Sequence, residues 1–253
     1  MDYKLIAVDI DGTLFDDKQK ISIENKQTIT KALEAGIKVV LSSGRSYDGL
    51  IKIANELGIE GPDQYMIELG GNVIENLDRK VIYKKTLENS DCEKIDNFLN
   101  QNKVKFELVD TKGNLYSSYQ EWMEKRMLEP DLGVAKFLTH THKRDIQKLA
   151  DLMHKEYDKD YFVVVTSPED VELFPKNVSK GQAVKRLAKH LKINLKQVMA
   201  IGDMDNDIPM LKIAGKSVAV ANSPEEVFDV SDEVVPDNNH SGVSVAIERF
   251  ALQ

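Results

Sequence analysis

The 253-residue sequence predicts an α/β protein, a doubly wound parallel sheet interrupted by an inserted α+β domain. Three observations carry that prediction. Short apolar runs alternate with amphipathic helical stretches from residue 5 to the low eighties and again from residue 179, the pattern of parallel strands joined by right-handed helical crossovers. Between them strand follows strand across turn residues, which favours an antiparallel sheet with helices on one face. Carboxylates gather where two of the apolar runs end, and open parallel sheets bind ligands beyond the carboxyl ends of their strands.

The elements follow in order. Leu5-Ile6-Ala7-Val8 is the first strand. Ser22 opens a helix with Ile23, Ile29, Ala32 and Leu33 along one side, closed by Gly36. Residues 37–42 read as a buried strand, 46–57 as a helix stopped by Gly58, and 65–69 as a third strand. Residues 72–75 and 81–83 suggest a hairpin around 76–80. The inserted stretch carries helices near 90–102 and 143–157 and strands at 105–110, 115–119, 134–141, 161–167 and 171–175. A helix over 180–192, a strand over 198–201, a helix from about 207 to 214, a strand over 217–221, a short helix after Pro224, a strand near Val234 and a last helix complete the chain. The expected domains are 1–82 with 179–253, and 83–178.

Composition narrows the partners. With 42% hydrophobic and 30% charged residues the chain can build a real core. A formal net charge of -8 opposes a nucleic-acid or anionic-membrane role, since both need clustered positive charge. No run reaches the roughly 18 apolar residues of a membrane span, and Met-Asp-Tyr-Lys lacks the basic and apolar regions of a signal peptide, so a cytoplasmic protein, a monomer or small homo-oligomer, is expected. Cys92 is the single cysteine, without partners for a disulfide or a metal site.

The first strand runs into Asp9-Ile10-Asp11-Gly12-Thr13. In extended backbone Asp9 and Asp11 share a side, so one carboxylate could attack a phosphate ester while the other carries a proton, provided a cation quiets the repulsion between anions. Calcium loops and ordinary turns also use Asp-x-Asp-Gly, but an EF-hand loop would be flanked by helices and continue with further oxygen ligands. The second acidic segment is Gly202-Asp203-Met204-Asp205-Asn206-Asp207, at the end of a strand and the start of a helix with Pro209 in its first turn. Helix capping explains one or two of these residues, not the cluster. Hard oxygen ligands from Asp9 and Asp203 with a backbone carbonyl would suit Mg2+. Ser43-Gly44-Arg45, between a strand and a helix, offers a hydroxyl and backbone amides to phosphate oxygens. Lys180, placed against the dipole in a first helical turn, offers a point charge.

Together these segments resemble the haloacid dehalogenase superfamily of phosphotransferases, and within it the Cof-like subfamily with a type IIB cap. Asp9–Thr13 is similar to the first family motif, Ser43 to the second, Lys180-Gly181 to the third and Gly202–Asp207 to the fourth. The resemblance spans nearly the whole chain. It implies a Rossmann-like core, a mobile α+β cap and Mg2+-dependent hydrolysis of a small phosphorylated metabolite, sugar phosphates being the favoured class. It further implies Asp9 as nucleophile, Asp11 as general acid and base, and Mg2+ on Asp9, Asp203 and the Asp11 carbonyl with Asp207 supporting the metal shell. Ser43, Lys180 and Asn206 would hold phosphate, with Gly44 and Arg45 beside them. The chain departs from the subfamily at Gly70-Gly71, where Asn-Gly is usual, and at Asn177, where Gly is common.

Two rival functions share the motifs. A phosphosugar mutase would retain the phosphoryl group, and a phospho-aspartate signalling module would keep Asp9 phosphorylated for minutes. His140 and His142 alternate on a strand with no carboxylate expected in register, and so read as a surface face rather than a metal site. Trp122, Met123, Met127 and Leu128 read as one helical packing stripe.

Overall fold

The computed structural model describes residues 2–252. It divides into two compact units, Met1–Tyr83 with Ser179–Gln253, and Lys84–Val178. The first unit begins with β1 (Leu5–Val8), α1 (Ile23–Glu34), β2 (Lys38–Ser42), α2 (Tyr47–Glu56), β3 (Tyr65–Glu68), β4 (Val73–Asn76) and β5 (Val81–Lys84), whose last residue opens the second unit. The second comprises α3 (Asn89–Gln101), β6 (Lys105–Asp110), β7 (Leu115–Tyr116), α4 (Tyr119–Leu128), β8 (Val134–His140), α5 (Ile146–Tyr157), β9 (Tyr161–Ser167) and β10 (Asp170–Pro175). The chain then returns to the first unit with α6 (Lys180–His190), β11 (Val198–Gly202), α7 (Ile208–Leu211), β12 (Lys216–Val220), α8 (Glu225–Phe228), β13 (Glu233–Val235) and α9 (Gly242–Phe250).

The eight-stranded sheet of the first unit has the order β13-β12-β11-β1-β2-β3-β4-β5 and is parallel from β13 through β3. β4 runs antiparallel to β3. β1 lies between β11 and β2, and its four residues are wholly buried because both faces are covered. Ile6 and Val8 pack into a core with Ile29 and Ala32 of α1, Leu50 of α2 and Ile247 of α9. Leu5 and Ala7 face the opposite core, with Ala183, Val184 and Leu187 of α6. That two-sided burial explains a continuous apolar run where a half-exposed strand would alternate. The β4–β5 turn is organised by Asn76, whose side-chain oxygen accepts from the amides of Asp78 and Lys80.

The second unit is an antiparallel sheet of order β7-β6-β8-β10-β9. Cys92, Ile95 and Leu99 of α3, Trp122 of α4, and Leu149 and Met153 of α5 share one core with Phe106, Phe137 and Leu173 of the strands. Among the described residues no helix is long and apolar enough to cross a membrane.

Several elements differ from the sequence reading. The strand expected at 115–119 stops at Tyr116, because Ser118 turns to cap α4 by accepting from the Glu121 amide. The helix expected from 207 to 214 is a 3-10 turn over Asp205–Asp207 followed by the short α7. The apolar stripe of α4 divides: Trp122 is fully buried, whereas Met127 and Leu128 are 72% and 80% exposed. At about 100° per residue, positions five and six beyond Trp122 are turned well away from its face. His140 does have a carboxylate in register, since Asp170 pairs opposite it and receives its Nδ1 at 2.7 Å. Its Nε2 meets Glu107 at 3.2 Å, and although burial opposes its charge, the two carboxylates hold the ring above the usual histidine pKa.

Candidate active site

The site grows from the carboxyl ends of β1, β2 and β11, neighbours in the sheet that deliver three loops to one edge. β1 stops at Val8, and the Asp9 amide still donates to the Ile201 carbonyl of β11. The chain then folds over itself, with the amides of Thr13, Leu14 and Phe15 converging on the Ile10 carbonyl. This turn separates the two carboxylates of the first motif. Asp9 is buried, 5% exposed, whereas the Asp11 side chain is 48% exposed.

Lys180, in the first turn of α6, crosses the buried interior to Asp9. Its Nζ donates to Asp9 Oδ1 at 2.5 Å and to Asp207 Oδ1 at 2.6 Å, and all three side chains are nearly sealed from solvent. This double pairing explains a lysine at a position that the helix dipole disfavours. Asp207 Oδ2 accepts from the amides of Asp203 and Met204 at 3.0 and 3.2 Å, so one carboxylate anchors both the lysine and its own loop. Asp203 Oδ1 accepts from the Thr13 hydroxyl at 2.5 Å. Thr13 belongs to the first motif, and its burial marks a tie between the two acidic loops that motif reading alone passes over.

Carboxylate oxygens of Asp9, Asp203 and Asp207 lie within 4.8 Å of one another. Burial pushes Asp9 well above the usual carboxylate range, with Asp207 and Asp203 adding to the effect and Lys180 opposing it. Burial and Asp207 push Asp203 up to about 7. Burial opposes the Lys180 charge as well, but Asp207 and Asp9 hold its ammonium above the ordinary lysine range. Three carboxylates balanced by one lysine, with oxygen-only donors, fit a hard divalent cation such as Mg2+. Gly12 is required here: its φ is +82°, and a Cβ would lie 2.4 Å from Asp203 Oδ2.

The loop after β2 is tied to β3. The Ser43 amide donates to Ile67, and its carbonyl accepts from Gly70, while the Arg45 carbonyl accepts from Leu69. The Ser43 side chain accepts from the Arg45 amide at 3.3 Å. The Ser43 amide is therefore paired within the protein, and its hydroxyl is the group this residue can offer to a phosphate. The Arg45 side chain turns to the first motif, where its Nε and Nη2 clasp Asp11 Oδ2 and Oδ1 at 3.0 and 2.6 Å. Asn206 lies half-buried in the 3-10 turn that carries Asp207.

At the first departure Gly70 has a φ of +70°, a left-handed conformation open to asparagine as well as glycine, and nothing in the structure explains the exchange. Gly71, which keeps the usual glycine, has a φ of +110°, and a Cβ there would lie 2.5 Å from the Ser179 carbonyl, so the β3–β4 connection packs directly on the entry to α6. Asn177 adopts a φ of +63°, a left-handed conformation that asparagine tolerates better than most side chains.

A family model described as haloacid dehalogenase-like hydrolase matches residues 6–247. The chain belongs to that family. It is 29% identical to phosphatase YwpJ of Bacillus subtilis, covering 95% of this chain and 97% of that one. It is also 29% identical to the phosphoglycolate phosphatase of Methanobrevibacter smithii over the full length of both. The solved structure of a haloacid dehalogenase-like hydrolase from B. subtilis superposes with a TM-score of 0.83 at 26% identity, covering 98% of this chain and 99% of that one. The family member is a hydrolase of the phosphatase kind, with the Rossmann-like core its sheet order displays.

Proposed function

We propose that the protein hydrolyses phosphate monoesters of small metabolites, sugar phosphates being the favoured class, with Asp9 as nucleophile and Asp11 as general acid and base. The observation that carries this reading is the environment of Asp9: a carboxylate buried at the end of the central strand, fixed through one oxygen by Lys180 and beside Asp203 and Asp207. Such a group has a fixed position and little competing water, two requirements of an in-line phosphoryl acceptor, and a bound Mg2+ would supply the positive charge that keeps it ionised against its burial.

In the first step an Asp9 oxygen forms a bond to phosphorus as the ester P–O bond breaks, and the Asp11 carboxyl gives its proton to the departing alkoxide. In the second, water attacks the aspartyl-phosphate, its proton passes to the Asp11 carboxylate, and the bond between Asp9 and phosphorus breaks to release inorganic phosphate. Asp9, Asp203 and the Asp11 carbonyl would hold Mg2+, which supplies positive charge to the phosphoryl oxygens. Asp207 positions Lys180 and the Asp203 loop. Ser43, the Gly44 amide, Lys180 and Asn206 are the phosphate-holding groups in this reading, and the inserted unit acts as a cap that selects the alcohol.

Steady-state hydrolysis over a panel of phosphorylated sugars, nucleotides and cofactors, with and without Mg2+, tests the class. Asp9→Asn is expected to abolish turnover, and full retention would sink the nucleophile assignment. Inorganic phosphate appearing in step with substrate loss separates hydrolysis from a mutase, which retains the phosphoryl group. A phosphoenzyme lasting minutes would instead favour signalling.

A further inference from the structure

We propose that Arg45 is a positioning residue for Asp11 rather than a ligand of the phosphate; this rests on the acid and base role proposed for Asp11. The guanidinium meets Asp11 as a fork, Nε on Oδ2 at 3.0 Å and Nη2 on Oδ1 at 2.6 Å. Nη2 also donates to Gln19 Oε1 at 3.2 Å. That nitrogen belongs to both edges through which an arginine can grip an oxyanion in bidentate fashion, so neither edge is open to a phosphate.

The arginine is itself held in place. Its carbonyl accepts from Leu69, its amide donates to Ser43 Oγ, and its guanidinium carbon lies 5.6 Å from the centre of the Phe15 ring. Phe15 and Gln19 both lie downstream of Asp11 on the same loop, so Arg45 staples the turn that carries the carboxylate. Among the described residues, Arg45 is the group that holds the Asp11 side chain. A half-exposed ion pair contributes little to stability, which leaves orientation as the purpose of the fork. The two motif carboxylates thus have separate cations with separate tasks: buried Lys180 fixes Asp9, and Arg45 sets the direction of Asp11.

Proton delivery matters most when the leaving alcohol is a poor one. Arg45→Ala is therefore expected to slow phosphoenzyme formation from an alkyl phosphate by at least about tenfold, part of the roughly 100-fold or more that a positioned acid supplies. With p-nitrophenyl phosphate, whose leaving group needs no proton, the rate of phosphoenzyme formation should stay within about twofold of wild type, as should the inhibition constant for inorganic phosphate, whereas hydrolysis of the phosphoenzyme, common to both esters, should slow equally for each. Added guanidinium ion should restore part of the alkyl-ester rate, and Arg45→Lys, which cannot form the fork, should resemble Arg45→Ala. Equal losses in phosphoenzyme formation on both esters with weaker phosphate inhibition would overturn the proposal in favour of a phosphate ligand, and an unchanged alkyl-ester rate would overturn it outright. Phosphoenzyme formation by Asp11→Asn from the same two esters separates the two levels: no dependence on the leaving group there refutes the role of Asp11 as acid, whereas dependence there but not in Arg45→Ala refutes only the role of Arg45.

Discussion

Replacing Glu68 with glutamine should remove most of a loss of stability that the wild-type protein suffers as pH rises. Glu68 ends β3 and is 1% exposed; Glu75 of β4 is diagonally opposite on the same face and 7% exposed. Burial and then Glu75 push Glu68 from its ordinary 4.5 up to about 9. Its folded-state pKa is thus above the unfolded one, and the folded protein binds the proton more tightly. The stabilisation is complete below pH 4.5 and is lost as pH rises towards 9. At about 1.36 kcal/mol per pH unit, that interval is worth on the order of 6 kcal/mol, a large share of the ~5–15 kcal/mol that holds a typical protein folded. Glutamine keeps the shape, can donate to Glu75 and does not ionise. Urea denaturation of both proteins from pH 5 to 9 should show wild-type stability falling by several kcal/mol relative to Glu68→Gln. Parallel curves would refute the reasoning. The effect should reach the site, because Ile67 and Leu69, on either side of Glu68, hold the loop of Ser43 and Arg45.

The remaining predictions concern the site and the second core. Lys180→Met leaves Asp9 and Asp207 buried without their cation, so a loss of about 3–5 kcal/mol in chemical denaturation is expected, with Mg2+ restoring part of the melting temperature. Gly12→Ala strains a left-handed residue and drives a methyl group into Asp203, so turnover should fall at least about tenfold, with ~1–3 kcal/mol of destabilisation measured by the same titration. Trp122→Ala empties the largest fully buried side chain of the molecule and should cost about 3–5 kcal/mol in the unfolding of the inserted unit.

How far residues announce their own roles differs from place to place. The apolar run of β1 and the capped stretch of α1 were legible because local periodicity and end signals set them. The α4 stripe was misread because residues close in sequence were assigned to one face that a helix of 3.6 residues per turn does not give them. The tie between His140 and Asp170 depends on strand register across residues 30 apart, which no local pattern states. Glu68 and Glu75 looked like ordinary strand residues, since nothing in Tyr65-Met-Ile-Glu68 reveals that both carboxyls are buried.

The acidic segments after β1 and β11, the lysine opening α6 and the polar loop after β2 are visible in the chain because each interrupts a hydrophobic pattern with groups that a core has no use for. By itself the sequence therefore determined the alternating sheet, the inserted α+β stretch and the residue types that belong at the carboxyl edge. The tertiary structure decided which charge meets which. Lys180 reaches Asp9 across 171 residues of chain, and Arg45 takes Asp11 across 34, because strand order places β1 between β11 and β2. Burial and distance set those pairings, and both arise only when separated segments pack.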